Sequence, residues 1–145
     1  MNRRDVMAVL ASADAPAIEA VWARFGDPPE YRVVRGPQTG LVMVRGRVGG
    51  GGTPFNFGEV TVTRATVELD NGSVGHAYCL GRDGNKVLRA AVFDALWQVD
   101  ETRSVVESDV IVPLRAAQDA ADRKARDETA ATQVDFFTMV RGEDA

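Results

Sequence analysis

The arginines of this chain gather where the sequence reads as sheet. Between Tyr31 and Arg64 stand Arg32, Arg35, Arg45, Arg47 and Arg64 with Glu59 as the sole acid. Five arginines less one acid give this stretch +4 in a chain of net −4, leaving −8 for the rest. Arg45 and Arg47 are two residues apart, so on a strand they project from the same face. Gly49, Gly50, Gly51 and Gly52 follow, and their backbone N–H groups can approach an anion with no Cβ in the way. Guanidinium forks beside such a loop suit a phosphate or phosphonate oxygen. The run is not a P-loop, because no Gly-Lys-Ser/Thr follows it. The same residues also have an ordinary use, since surface arginines pair with neighbours and glycine runs form flexible loops.

The other reactive side chains are sparse. His76, the single histidine, shares a strand face with Val74, Tyr78 and Leu80, where a hydrogen-bonded packing role competes with that of a general base. Cys79 has the opposite parity and reads as a small buried apolar residue, with no second histidine to activate it as a nucleophile. Arg82 and Asp83 lie in a glycine-flanked loop and either position a ligand or form an ion pair that pins the loop. Nothing assembles a nucleophile, a base and an orienting group, so no catalytic residue is assigned.

These residues must be positioned by an α+β arrangement. Residues 3 to 13 read as an amphipathic helix capped by Asn2, with Val6, Met7, Val9 and Leu10 on one side. A second helix begins at Asp14 with Pro16 in its first turn, presents Ile18, Val21, Trp22 and Phe25, and stops at Gly26 before Asp27-Pro28-Pro29. The period then changes to two. Strands are expected at Tyr31 to Arg35, Leu41 to Val48, about Phe57 to Leu69 and Ser73 to Leu80, with a turn at Gly36-Pro37. The apolar parity switches from Val60 and Val62 to Ala65, Val67 and Leu69, which predicts a bulge near Thr63 and Arg64. Asp70-Asn71-Gly72 predicts a type I′ hairpin turn. A third helix, capped by Asn85, carries the stripe Leu88, Ala91, Val92, Ala95, Leu96 and Val99. A short extended piece is expected from Asp109 to Val112, ending at Pro113. Leu114 to about Ala131 then forms an alanine-rich helix with Asp119/Arg123 and Asp122/Arg126 as i, i+4 pairs and a seam of Ala117, Ala121 and Ala125. The expected fold is thus a four-stranded, mainly antiparallel sheet with packed helices, a helical N-terminal hairpin, and a C-terminal helix with an apolar tail.

Composition bounds the rest. At 145 residues, 45% apolar and 26% charged, the chain reads as one domain, 1–145, able to bury a core. The mild acidity argues against nucleic-acid binding driven by bulk charge. One cysteine and one histidine exclude an intramolecular disulfide, a thiolate-rich metal site and a multi-histidine metal site built from this chain alone. No run of about 18 apolar residues is present to cross a membrane, and a reduced, cytoplasmic setting is expected. The closing segment Val134, Asp135, Phe136, Phe137, Thr138, Met139, Val140, Arg141 is too apolar for a solvated tail. Residues 133–145 are therefore expected to pack on this domain or dock on a partner.

Taken together, several segments carry a resemblance. Gly40-Leu41 leading into Arg47-Val48-Gly49-Gly50 and Phe55, then Thr63-Arg64 with Val67 and Leu69, Leu80-Gly81-Arg82-Asp83, Asp94-Ala95-Leu96 and the closing Val134-to-Gly142 string resemble the G-subunit family of the bacterial carbon-phosphorus lyase core complex. The resemblance implies a role in phosphonate catabolism beside the H, I, J and L subunits, with I the expected direct contact. It implies a step in which a phosphonate displaces adenine from MgATP, giving ribose 1-phosphonate 5-triphosphate. MgATP would then be a substrate of the complex, and no cofactor is expected on this chain alone. The motif positions Arg47, Gly49, Gly50, Arg64, Arg82 and Asp83, with Arg45 beside them, become ligand-binding candidates. Val134, Phe136, Phe137, Met139, Val140 and Arg141 become partner-docking candidates. A self-sufficient nucleotide or phosphonate site, and a pure scaffold, are the alternatives.

Overall fold

The computed structural model describes residues 1–27, 29–47 and 51–132. α1 (Arg3–Ser12) and α2 (Ala15–Phe25) start where the side chains dictate. Asn2 Oδ1 accepts the Asp5 N–H and Asp14 Oδ1 the Ala17 N–H, both at 2.9 Å, so an otherwise unpaired amide of each first turn is satisfied. α2 ends at Gly26, whose φ of 97° is open to glycine without strain. The two helices turn through 117° and bury Val6, Val9, Leu10, Ile18 and Val21.

The sheet is antiparallel, in the order β1 (Tyr31–Arg47), β2 (Pro54–Leu69), β3 (Val74–Leu80). The α+β class holds. The expected strand Tyr31–Arg35 and the expected strand Leu41–Val48, as far as Arg47, are two arms of the single run β1, both pairing with β2, so four arms form three continuous strands; Val48 lies outside the described residues. Gly36-Pro37, a cis peptide, is a bulge inside the strand rather than a turn that ends it. The bulge expected near Thr63 and Arg64 is not in β2, whose pairing with β3 is regular from Val62 to Glu68. The extra residues sit opposite, in β1 between Val33 and Gln38. The parity switch misleads because Thr63 is itself a core residue, buried with Ala65, Val67 and Leu69. Its hydroxyl donates to the Gly81 carbonyl at 2.7 Å and lies 3.0 Å from Thr39 Oγ1, which removes the cost of burying it. The turn is not type I′, because Asn71 lacks a positive φ and only Gly72 has one, at 87°. Leu69 and Ser73 close a three-residue loop, with Gly72 N–H donating to the Leu69 carbonyl and Asn71 Oδ1 taking the Ser73 N–H.

α3 (Gly84–Trp97) is the centre of the molecule. Asp83, not Asn85, caps it, taking the Lys86 N–H at 3.0 Å. The expected stripe is too narrow, since every residue from Ala90 to Trp97 is buried while Leu88 and Val99 are only partly so. One side meets β2 and β3; on the other, Phe93 packs edge-on against Trp22 and Phe25 with ring centroids 5.5 Å apart. The helix lies so close to β3 that a Cβ on Gly75 would run into the Ala91 carbonyl oxygen and stand 2.7 Å from the Ala95 nitrogen. Asp94, fully buried, accepts Arg3 Nε at 3.1 Å and an Arg3 terminal nitrogen at 2.8 Å, and takes the His76 backbone N–H at 2.9 Å. The carboxylate in turn holds the Arg3 guanidinium above its ordinary pKa, against a smaller opposing effect of burial. Gln98 donates to the Val74 carbonyl at 2.7 Å. Asp94 in α3 and Gln98 at its C-terminal cap thus satisfy the Val74–His76 part of the outer edge of β3.

After α3 the chain turns back through α4 (Asp100–Val106), where Arg103 donates to the Trp97 carbonyl at 2.9 Å and lies over the Trp97 ring. The extended piece expected at Asp109–Val112 is instead a widened helical turn, Glu107–Ile111, running straight into α5 (Val112–Ala131). Val112 N–H reaches back five residues to the Glu107 carbonyl, and the wider turn makes room for the Pro113 ring that an α-helical turn would exclude. Burial of Val110, Ile111 and Leu114 against the core decides for helix over strand. The expected Asp119/Arg123 and Asp122/Arg126 ion pairs do not form; Arg126 bonds the Asp122 carbonyl, and Lys124 with Glu128 makes the pair present, at 4.0 Å.

Three outcomes follow from this packing. Gly75→Ala should cost about 3 kcal/mol or more, because backbone on α3 must move to admit the methyl group, and a denaturant titration measures it. Arg3→Ala leaves the buried Asp94 carboxylate with only the His76 N–H, and should cost about 3 kcal/mol in the same titration. Cys79, on the buried face of β3, has its thiol pushed above the usual range by burial. Iodoacetamide should therefore label it slowly in the native protein at pH 8 and rapidly in denaturant, and equal rates would contradict its burial.

Candidate functional site

The helices cover one face of the sheet, and the other is open among the described residues. On β3, Gly75, Ala77 and Cys79 face the helices while His76, Tyr78 and Leu80 face solvent. Register then sets cross-strand rows on the open face: Arg32, Glu68 and Val74; Arg35, Thr66 and His76; Gln38, Arg64 and Tyr78. Arg32 pairs with Glu68 at 3.0 Å. Arg64 donates to the neutral Gln38 side chain at 3.3 Å, and Thr66 Oγ1 stands 3.0 Å from His76 Nδ1. Two shallow grooves meet at Arg64 and Tyr78. One, about 270 Å³, adds Arg35, Thr66 and His76; the other, about 500 Å³, adds Gln38, Leu41 and Val42.

The candidate residues do not converge. Arg45 and Arg47 sit opposite Asn56 and Pro54, far along the β1–β2 arm. Asn56 and Arg64 are eight residues apart on β2, roughly 26 Å at 3.3 Å per residue. Strand parity also turns Arg45 and Arg47 to the face opposite Gln38 and Arg64. Asp83 is used as the cap of α3, and no ion pair joins it to Arg82, which is exposed after β3. Gly49, Gly50 and the docking candidates Val134, Phe136, Phe137, Met139, Val140 and Arg141 lie outside the described residues. Arg35, which stands across from Thr66 and shares a groove with Arg64 and His76, was not singled out as a site residue from sequence. Only the bulge at Gly36-Pro37 fixes its register, and the hydrophobic pattern does not reveal a bulge there.

Among the described residues the candidate side chains hydrogen-bond and pair with their neighbours, and no nucleophile is brought beside a base. Cys79 lies on the buried face, remote in direction from His76, and its raised pKa keeps it a thiol. His76 is held by a threonine, without a carboxylate to orient it. Among the described residues no group of three or more His, Cys, Asp or Glu could hold a metal ion. No single helix there is long and apolar enough to cross a membrane, and the apolar residues of α1 and α2 are spent on the core. Large apolar side chains stand exposed on the described sheet: Leu80 at 67%, Leu41 at 63% and Met43 at 52%, with Val42 on the other face of β1 from the last two. Apolar side chains open on both faces of one ribbon point to an interaction surface.

Comparisons with known proteins give the family. The profile of the family described as phosphonate metabolism protein PhnG matches residues 1–142. A relative from Rhizobium meliloti (strain 1021), the alpha-D-ribose 1-methylphosphonate 5-triphosphate synthase subunit PhnG, is 54% identical over 143 residues, covering 99% of this chain and 91% of that protein. With the family profile spanning residues 1–142 and a relative 54% identical along 99% of it, this chain belongs to the PhnG family.

Proposed function

We propose that the chain is a subunit of the synthase that makes alpha-D-ribose 1-methylphosphonate 5-triphosphate in phosphonate metabolism. Its own task is to dock on and order a larger partner, the I-type subunit, while bonds are made and broken elsewhere. The observation that carries the reading is the 54% identity to a named synthase subunit along nearly the whole of both chains. The surface agrees with it: apolar side chains lie open to solvent, and arginines with a lone histidine form no catalytic constellation among the described residues. By composition alone, the run from Val134 to Arg141 offers a further anchor. MgATP belongs in this scheme to the assembly as substrate, and the setting is cytoplasmic.

The test is adenine release from MgATP and methylphosphonate. The chain alone should release none above background; with the other subunits added, turnover should appear and should fall when this chain is omitted. Release by the purified chain, or full turnover without it, would overturn the proposal.

A further inference from the structure

The two edges of the sheet are treated differently. The first part of β3 is covered, since Asp94 takes the His76 N–H, Gln98 donates to the Val74 carbonyl and α1 packs against the strand. β1 runs 17 residues with β2 as its one strand neighbour among the described residues. Its bulges between Val33 and Gln38 interrupt the first part, but from Gln38 to Val44 the pairing with β2 is unbroken. Alternate N–H and C=O groups of that stretch therefore point outward as a straight, regular row.

The same stretch also leaves the support of the helices. The helical layer ends near Thr63 and Thr61, and past it the described side chains on both faces of the β1–β2 ribbon are exposed or half-buried. Leu41 and Met43 lie on one face and Val42 on the other, all three open to solvent. A two-stranded ribbon alone in water is marginal, and here it presents apolar side chains on both faces beside an unpaired edge. A third strand would find apolar cross-strand neighbours above and below it, as well as the backbone row.

Charge selects the occupant. The segment from Tyr31 to Arg64 carries five arginines and one acid. A second copy of this chain would bring another +4 segment against the first, a like-charge juxtaposition that interfaces avoid. An extended segment with acidic and apolar side chains complements it. We infer that the Gln38–Arg47 edge of β1 accepts, as an added strand, an acidic and apolar segment of a partner subunit. The inference rests on the subunit reading above and names the surface through which docking occurs.

The test compares the full chain alone with the same chain in the co-expressed assembly by hydrogen–deuterium exchange. Outward amides between Gln38 and Arg47 should exchange quickly in the free chain and be protected in the assembly. Leu41→Asp combined with Met43→Asp changes two exposed side chains, so the melting temperature of the free chain should stay unchanged while affinity for the partner falls about tenfold or more. Arg45→Glu with Arg47→Glu should weaken assembly most at low salt. A chain that co-purifies with its partners while this edge stays unprotected and both variants bind normally would overturn the strand-addition inference and leave the subunit reading standing. Edge protection already complete in the free chain would overturn it equally. No co-purification of the wild-type chain would overturn both.

Discussion

The closeness of α3 to the sheet at Gly75 governs the rest of this structure. With no side chain at that point, helix backbone and strand backbone meet directly, and Asp94 is thereby brought within reach of the His76 amide and of Arg3. A carboxylate taken out of water is costly unless its oxygens are satisfied. Here three donors satisfy it: two from a side chain near the N-terminus and one from the edge of the sheet. That single residue ties together the first helix, the central helix and the last strand. The aromatic contact of Phe93 with Trp22 and Phe25 completes the other side of α3.

Once α3 is fixed, the molecule is one-sided. The described helices cover one face of β2 and β3, and Asp94 and Gln98 bond the first part of the β3 edge. Among the described residues nothing comparable covers the open face, the outer edge of β1 or the ribbon beyond Thr61. The exposed apolar and arginine-bearing surface is thus a direct consequence of where a chain of this length places its core. Exposed apolar surface of this kind marks an interaction site, which agrees with membership of the PhnG family, a relative in which is named as a synthase subunit.

The arginines fit the same account. They are spread along a strand ladder some tens of ångströms long and divided between its two faces, so they do not form one pocket that grips one anion. Arg64, with Arg35 and His76, borders a shallow groove on the open face, whereas Arg45 and Arg47 flank the far end of the arm. A distribution of that kind serves an extended, complementary surface better than a compact substrate site.

Sequence alone determined the features that depend on neighbours along the chain. Asn2 and Asp14 cap their helices, Gly26 ends α2, the alternation in Val74–Leu80 puts Cys79 on the buried side opposite His76, and the run of motifs assigns the family. It also identified the concentration of arginines, since charge is additive and needs no coordinates. Tertiary structure alone decided what depends on residues far apart. Thr63 reads as polar but is buried, because Gly81 and Thr39 supply its hydrogen bonds. Asp109 to Val112 ends before a proline and reads as extended, yet it is helical because Val110 and Ile111 find a core to enter. The bulge lies in β1 rather than β2, since register is a property of two strands and is not written in either. Arg3 and Asp94 stand 91 positions apart, and no local pattern links them. Their pairing exists only because a glycine in a third element lets the central helix come close enough.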